Sequence, residues 1–216
     1  MEMVSKSWLQ PGAIDNHVLF VFEAPGDDEC SLGRPLIGDT GLRCARLLAH
    51  LRHACLLSEK PEIRMLYEKF SEHRLAIIDV ADEKLKKDSY HLTELERREY
   101  VTTLIHRLEF SSIVDNIEIV VCFGRLAWDA QDAIRNACNG DRLKKMILCQ
   151  HPSGSNVKGF EGRDDNAKML GLAWRIYDAL LADEKIVDLS GFSKSFTPVQ
   201  ISEEQNNVTV EAKERE

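Results

Sequence analysis

The sequence predicts an α/β protein: a three-layer α/β/α sandwich around a central four-stranded parallel sheet. Three observations predict it. Short apolar runs rich in branched residues recur four times along the chain, each bounded by turn residues. A segment with helical spacing follows each run, the arrangement that parallel strands require of their connections. The first run is joined to its helix by a loop carrying a Pro-Gly turn and further glycines, as α/β proteins build ligand sites.

Residues 1–16 form a polar lead-in with a Pro-Gly turn, and His17–Phe22 reads as the first buried strand. The stretch FEAPGDDECSLGRPLIGDTG, Phe22–Gly41, is the loop around which the chain is organised. Its glycines let backbone approach a ligand, and the helix start behind it favours anions. The helix begins in Leu42–Leu51 and runs to about Leu57, and a second helical piece covers Pro61–Phe70. Arg74–Val80 is the second strand and Asp82–Ser89 a hydrophilic loop. Thr93 is placed as an N-cap, with Glu96 completing a capping box, for a helix reaching Phe110. Ile117–Phe123 is the third strand, and Gly124 turns it into a helix that stops near Cys138-Asn-Gly140. Lys145–Cys149 is the fourth, leading into the turn-rich segment Gln150–Asn156, and Asn166–Leu181 is the last amphipathic helix. One domain over residues 1–190 is expected, with 191–216 a polar, flexible tail.

The formal charge of −8 is unusual for a nucleic-acid binder, but its distribution is uneven. From Asp183 onward the chain holds eight acidic and four basic residues, so half of the net charge sits there, available to a protein partner. No apolar run is long enough to span a bilayer, which predicts no membrane partner and a cytoplasmic location. The six cysteines show no C-x-x-C spacing, so packed, reduced thiols are expected.

Ligands of such sheets gather at the carboxyl ends of the strands. Three polar residues lie there, Glu23 after the first strand, Asp79 at the end of the second and His151 after the fourth, which predicts a single site.

The motifs around them resemble the uracil-DNA glycosylase superfamily. Phe22-Glu-Ala-Pro-Gly26, Asp27-Asp-Glu29, Gly33-Arg-Pro-Leu-Ile-Gly38 and Gly41 resemble the first motif of its bacterial and archaeal iron–sulfur branch. His151-Pro-Ser153 resembles the start of its second motif. The resemblance covers roughly Val18–Leu181, and it implies base flipping followed by hydrolysis of an N-glycosidic bond in DNA. It implies that Glu23 holds or activates the attacking water. It implies that His151 donates to pyrimidine O2 and that Ala24, Gly26, Leu36 and Asp79 line the base. It also implies that Arg34, Ser153, Gly154 and Asn156 meet the DNA backbone.

Four departures sharpen this expectation. No cysteine occupies a cluster position, so neither a metal nor another cofactor is implied. Leu36 stands where the branch has a phenylalanine that stacks on the base. Gly26 stands where strict uracil enzymes place a tyrosine against C5, leaving room for a 5-substituent. Asp79 stands in place of the uracil-reading asparagine. A carboxylate accepts from cytosine N4–H₂, and a protonated one also donates to N3. The plainer reading of Asp79 is a loop cap or an ion pair with Lys84. The expected activity is monofunctional excision of a 5-substituted cytosine, such as the glucosylated hydroxymethylcytosine of phage DNA, in defence. Competing readings are repair of uracil or another deaminated base, and a catalytically silent nucleic-acid binder.

Overall fold

A computed structural model of the chain describes residues 9–10, 16–33, 36–71, 74–109, 114–138, 141–153 and 164–190. Its strands are β1 (Leu9–Gln10), β2 (Val18–Phe22), β3 (Leu75–Asp79), β4 (Ile119–Phe123), β5 (Lys145–Cys149) and β6 (Ile186–Asp188). They form one sheet in the order β1-β3-β2-β4-β5-β6, with β1 antiparallel to β3 and the other neighbours parallel. The four expected strands are therefore its centre. Two short additions correct the four-strand count: β1, of two residues, and β6, of three, whose side chains are half-buried or exposed. Neither is long enough to display a period of two.

Every residue of β2 to β5 is buried, which is why these strands read as unbroken apolar runs. Their side chains alternate between two cores. Val18, Phe20 and Phe22 join a cluster with α2 (Gly38–Leu56) and α8 (Asp165–Leu181). Leu19 and Val21 join one with α5 (Glu94–Glu109), α6 (Arg125–Asp129) and α7 (Gln131–Ala137). Helices thus cover both faces, giving the expected three layers.

The capping box holds. Thr93 N–H donates to Glu96 Oε2 at 2.6 Å, and Glu96 N–H to Thr93 Oγ1 at 3.3 Å. Helix α8 begins one residue earlier than expected because the Asp164 carboxylate accepts from Ala167 N–H at 2.9 Å. Two expected helices are each divided in two: Pro61–Phe70 becomes α3 (Pro61–Arg64) and α4 (Leu66–Lys69), and α6 and α7 meet at Ala130. All six thiols are free, five of them buried, and Cys30 is half-buried.

The largest correction falls inside the organising loop, where Asp27–Leu32 folds as a helix, α1. Three acidic residues in its first turn suit the helix dipole, Glu29 Oε2 accepts from Gly26 N–H at 2.5 Å, and Gly33 closes it at φ 67°. Further on, Leu36 adopts φ 54°, unusual for a leucine, and its carbonyl lies so near Gly41 that a Cβ there would stand 1.7 Å from the oxygen. Gly41 is needed for that close approach.

Lys145 is 8% exposed at the start of β5, and its ammonium donates to the carbonyls of Ala182 and Glu184 at 2.6 and 2.7 Å. It thereby satisfies carbonyls where α8 ends, before the chain enters β6. Among the described residues no helix is long and apolar enough to cross a membrane. The expected tail, 191–216, lies outside the described residues.

Candidate functional site

Strand β2 sits between β3 and β4, and the chain leaves β2 and β4 toward opposite faces. The crevice at their carboxyl ends is where ligands of open α/β sheets bind. Glu23 is the first residue past β2, and Gly124 the first past β4.

The Glu23 carboxylate turns toward the α6 side. Its Oε1 accepts from Leu126 N–H at 3.1 Å. Helix α6 is fixed over the sheet edge by Trp128, whose indole N–H reaches Cys149 O at 2.8 Å and Cys122 O at 3.2 Å. Burial raises the Glu23 pKa and the charge of Asp88 adds to it, while Ser89 and the amides of Leu126 and Arg125 oppose the rise. The buried Ser89 hydroxyl lies close enough to lower that pKa, but it is not aligned with any hydrogen-bond partner among the described residues. The result is a carboxylate with oriented N–H donors and little solvent, the setting in which a carboxylate serves as a base.

Gly124 makes this position possible. It holds φ 92°, and a Cβ on it would stand 2.4 Å from Glu23 Cδ. Gly124→Ala is therefore expected to cost at least about 1–3 kcal/mol in backbone strain and to push the Glu23 carboxylate aside. Urea denaturation alongside a ligand-binding or activity assay checks both effects.

Phe22 ties the remaining residues together. Its ring stacks on Phe123 with centroids 4.8 Å apart, and His151 meets it edge-on at 5.7 Å. Its register partner on β3 is Asp79. Glu23, Asp79 and His151 are thus brought to one end of the sheet, around one phenylalanine. His151 is half-buried, and burial lowers its pKa to about 4. It is a neutral imidazole at pH 7, in which one ring nitrogen carries a proton to donate.

Asp79 continues the alternation of Leu75 and Ile77 and so points to the α2 side, opposite Glu23. It is 4% exposed, and no hydrogen bond reaches its carboxylate among the described residues. Burial, then the nearby charge of Glu29, raise its pKa to about 8 against the pull of Arg107. The plainer reading of this residue as a partner of Lys84 fails: Lys84 Nζ meets Asp27 Oδ1 at 2.5 Å instead.

The other expected base-lining residues divide between the two faces. Leu36 packs against the α2/α8 cluster and Ala24 against the other. Gly26 is exposed, and among the described residues a Cβ there would meet only Glu29 Oε2, at 3.2 Å. Ser153 is half-buried two residues past His151. Arg34, Gly154 and Asn156 lie outside the described residues.

Sequence reasoning missed several neighbours of these groups. Ser89 and Tyr90 sit in a short 3₁₀ turn, Ser89–His91, capped by Asp88, which accepts from Tyr90 N–H at 3.0 Å. Tyr90 is 56% exposed beside Glu23 and Arg125. No local pattern marks this turn as part of the site. Gly124 was legible as a turn but not as the space that Glu23 occupies. Among the described residues, no three His, Cys, Asp or Glu side chains are grouped to hold a metal ion. No family model and no curated protein matches the chain.

Proposed function

We propose that this protein is a monofunctional DNA glycosylase that flips a base from the helix and hydrolyses its N-glycosidic bond. The observation that carries the reading is Glu23: a partly desolvated carboxylate at the crevice between β2 and β4, aimed by Leu126 N–H and given room by Gly124. Breaking the bond between C1′ and the base leaves a sugar with oxocarbenium character and a base that gathers negative charge. Glu23 answers the first need, because a carboxylate favours the cation and accepts a proton from water attacking C1′. A neutral His151 answers the second by donating to pyrimidine O2. Asp79 reads the base edge, and Gly26 leaves room for a 5-substituent. The product is a base and an abasic site.

The favoured substrate is a 5-substituted cytosine, as in glucosylated hydroxymethylcytosine of phage DNA, with defence as the setting. A second reading, excision of uracil, has one observation in its favour. A protonated Asp79 can also complement uracil, accepting from N3–H and donating to O4.

The test is an oligonucleotide with one modified cytosine, treated with purified protein and then hot alkali. Strand cleavage at that position is expected. Tight binding without any alkali-labile site on modified-cytosine or uracil DNA would instead make the protein a binding module.

A further inference from the structure

Asp79 and Glu29 are the only carboxylate side chains buried this deeply among the described residues, 4% and 8% exposed. The charge of Glu29, on α1, acts on Asp79 at the end of β3. Glu29 is held there, because its Oε2 is bonded to Gly26 N–H. The cation facing Asp79 is Arg107 of α5, but its Nη2 is bound to the carbonyls of Asp79 and Val80 rather than to the Asp79 carboxylate. Arg107 also faces Asp82, and its Nε and Nη1 are buried without a hydrogen-bond partner among the described residues. From α2, Cys44 adds no charge, since burial pushes its thiol well above the ordinary range. Asp79 therefore sits buried beside a second buried acid, and the guanidinium that faces it is committed to main-chain oxygens. Proximity of like charges in such a space favours keeping a proton on one of them.

We propose that Asp79 works as a carboxylic acid, that Glu29 is the positioning residue that keeps the proton on it, and that this proton is delivered to ring N3 of a cytosine-type base as the base leaves. The inference rests on the glycosylase reading and gives it a substrate class. Cytosine presents a bare N3 beside N4–H₂, so the acid O–H donates to N3 while its carbonyl oxygen accepts from N4–H₂. As the C1′–N1 bond breaks, its electron pair stays with the base, and the Asp79 proton passes to N3. The base departs neutral and Asp79 is left as a carboxylate. Water adds to C1′ through oxygen and gives its proton to Glu23, and Asp79 regains a proton from solvent.

Carbon-13 NMR of the DNA-free protein reads the Asp79 carboxyl directly. Its midpoint is expected near pH 8 in the wild type. In Glu29→Gln, whose amide oxygen can still accept from Gly26 N–H, the midpoint should fall by about one pH unit or more. Excision of a 5-substituted cytosine should decline about tenfold per pH unit above the same midpoint, and that decline should move with it in Glu29→Gln. Titration of wild-type Asp79 in the ordinary carboxylate range overturns the proposal without needing any variant, and so does an unchanged midpoint in Glu29→Gln. Base release by a protein whose Asp79 titrates as an ordinary carboxylate overturns this inference alone and leaves the glycosylase reading standing. Absence of base release from every substrate, with Asp79 still titrating near pH 8, overturns the proton-transfer step together with the glycosylase reading.

Discussion

Replacing Glu23 by glutamine is expected to slow base release by about 10²–10⁴-fold while leaving the fold intact. The amide is nearly isosteric, and its oxygen can still accept from Leu126 N–H, so the position of the side chain survives. What disappears is the negative charge beside the sugar cation and the group that accepts a proton from water. Stability should hold or rise. Burial raises the Glu23 pKa in the folded protein, so the folded state loses stability as pH climbs through that value, and glutamine removes this penalty. Single-turnover excision and a thermal melt, run on the same preparation, check both halves. Full activity in the variant would remove Glu23 from the chemistry.

Asp79→Asn is expected to reverse substrate preference. An amide can hydrogen-bond to a base edge but has no acid proton to give, so release of a 5-substituted cytosine should fall by about 10²-fold or more. Uracil carries its negative charge more readily when it leaves, and an asparagine complements its N3–H and O4, so uracil release should persist or rise. The stability effect has a definite sign. The folded-state pKa is about 8, against about 3.9 for an unfolded aspartate, so the folded protein holds the extra proton between those values. That contribution is complete below the lower value and is lost as pH rises through the upper one, by up to about 1.4 kcal/mol per pH unit. The asparagine variant lacks this loss, and its melting temperature relative to the wild type should climb between pH 5 and pH 8. Parallel excision rates on the two substrates, with melts across that range, make the comparison. Unchanged preference would take Asp79 out of base reading.

The layered fold was legible because β2 to β5 are buried on both faces and each is followed by a helix, so hydrophobicity alone marks them. Thr93 and Glu96 announced a helix start by chemistry that needs only four residues of sequence. Helix α1 carries helix signals, an acidic first turn after Gly26 and a glycine stop at Gly33, but they are too short to stand out among the neighbouring turn residues. The glycines and proline around it suggested a loop throughout. The short edge strands β1 and β6 depend on a sheet already formed beside them, which no local pattern encodes.

The candidate site was legible only in outline. That Glu23, Asp79 and His151 reach one sheet edge follows from their places after parallel strands. That Glu23 and Asp79 face opposite sides of that edge follows from the period of two along β2 and β3. The ionisation of Asp79 is not readable from the sequence, because it depends first on its burial, then on Glu29 folding back from α1 and on Arg107 binding main-chain carbonyls. Ser89 and Tyr90 approach Glu23 from a turn more than sixty residues away in sequence, a proximity that only the folded chain creates.

The most direct measurement is mass spectrometry of free bases released by the purified protein from three DNAs: one with 5-hydroxymethylated or glucosylated cytosine, one with uracil, one unmodified. The account predicts the modified cytosine base in solution with an abasic site left behind, more of it than of uracil, and none with Glu23→Gln. Release that persists in Glu23→Gln, or no free base from any of the three, would contradict it.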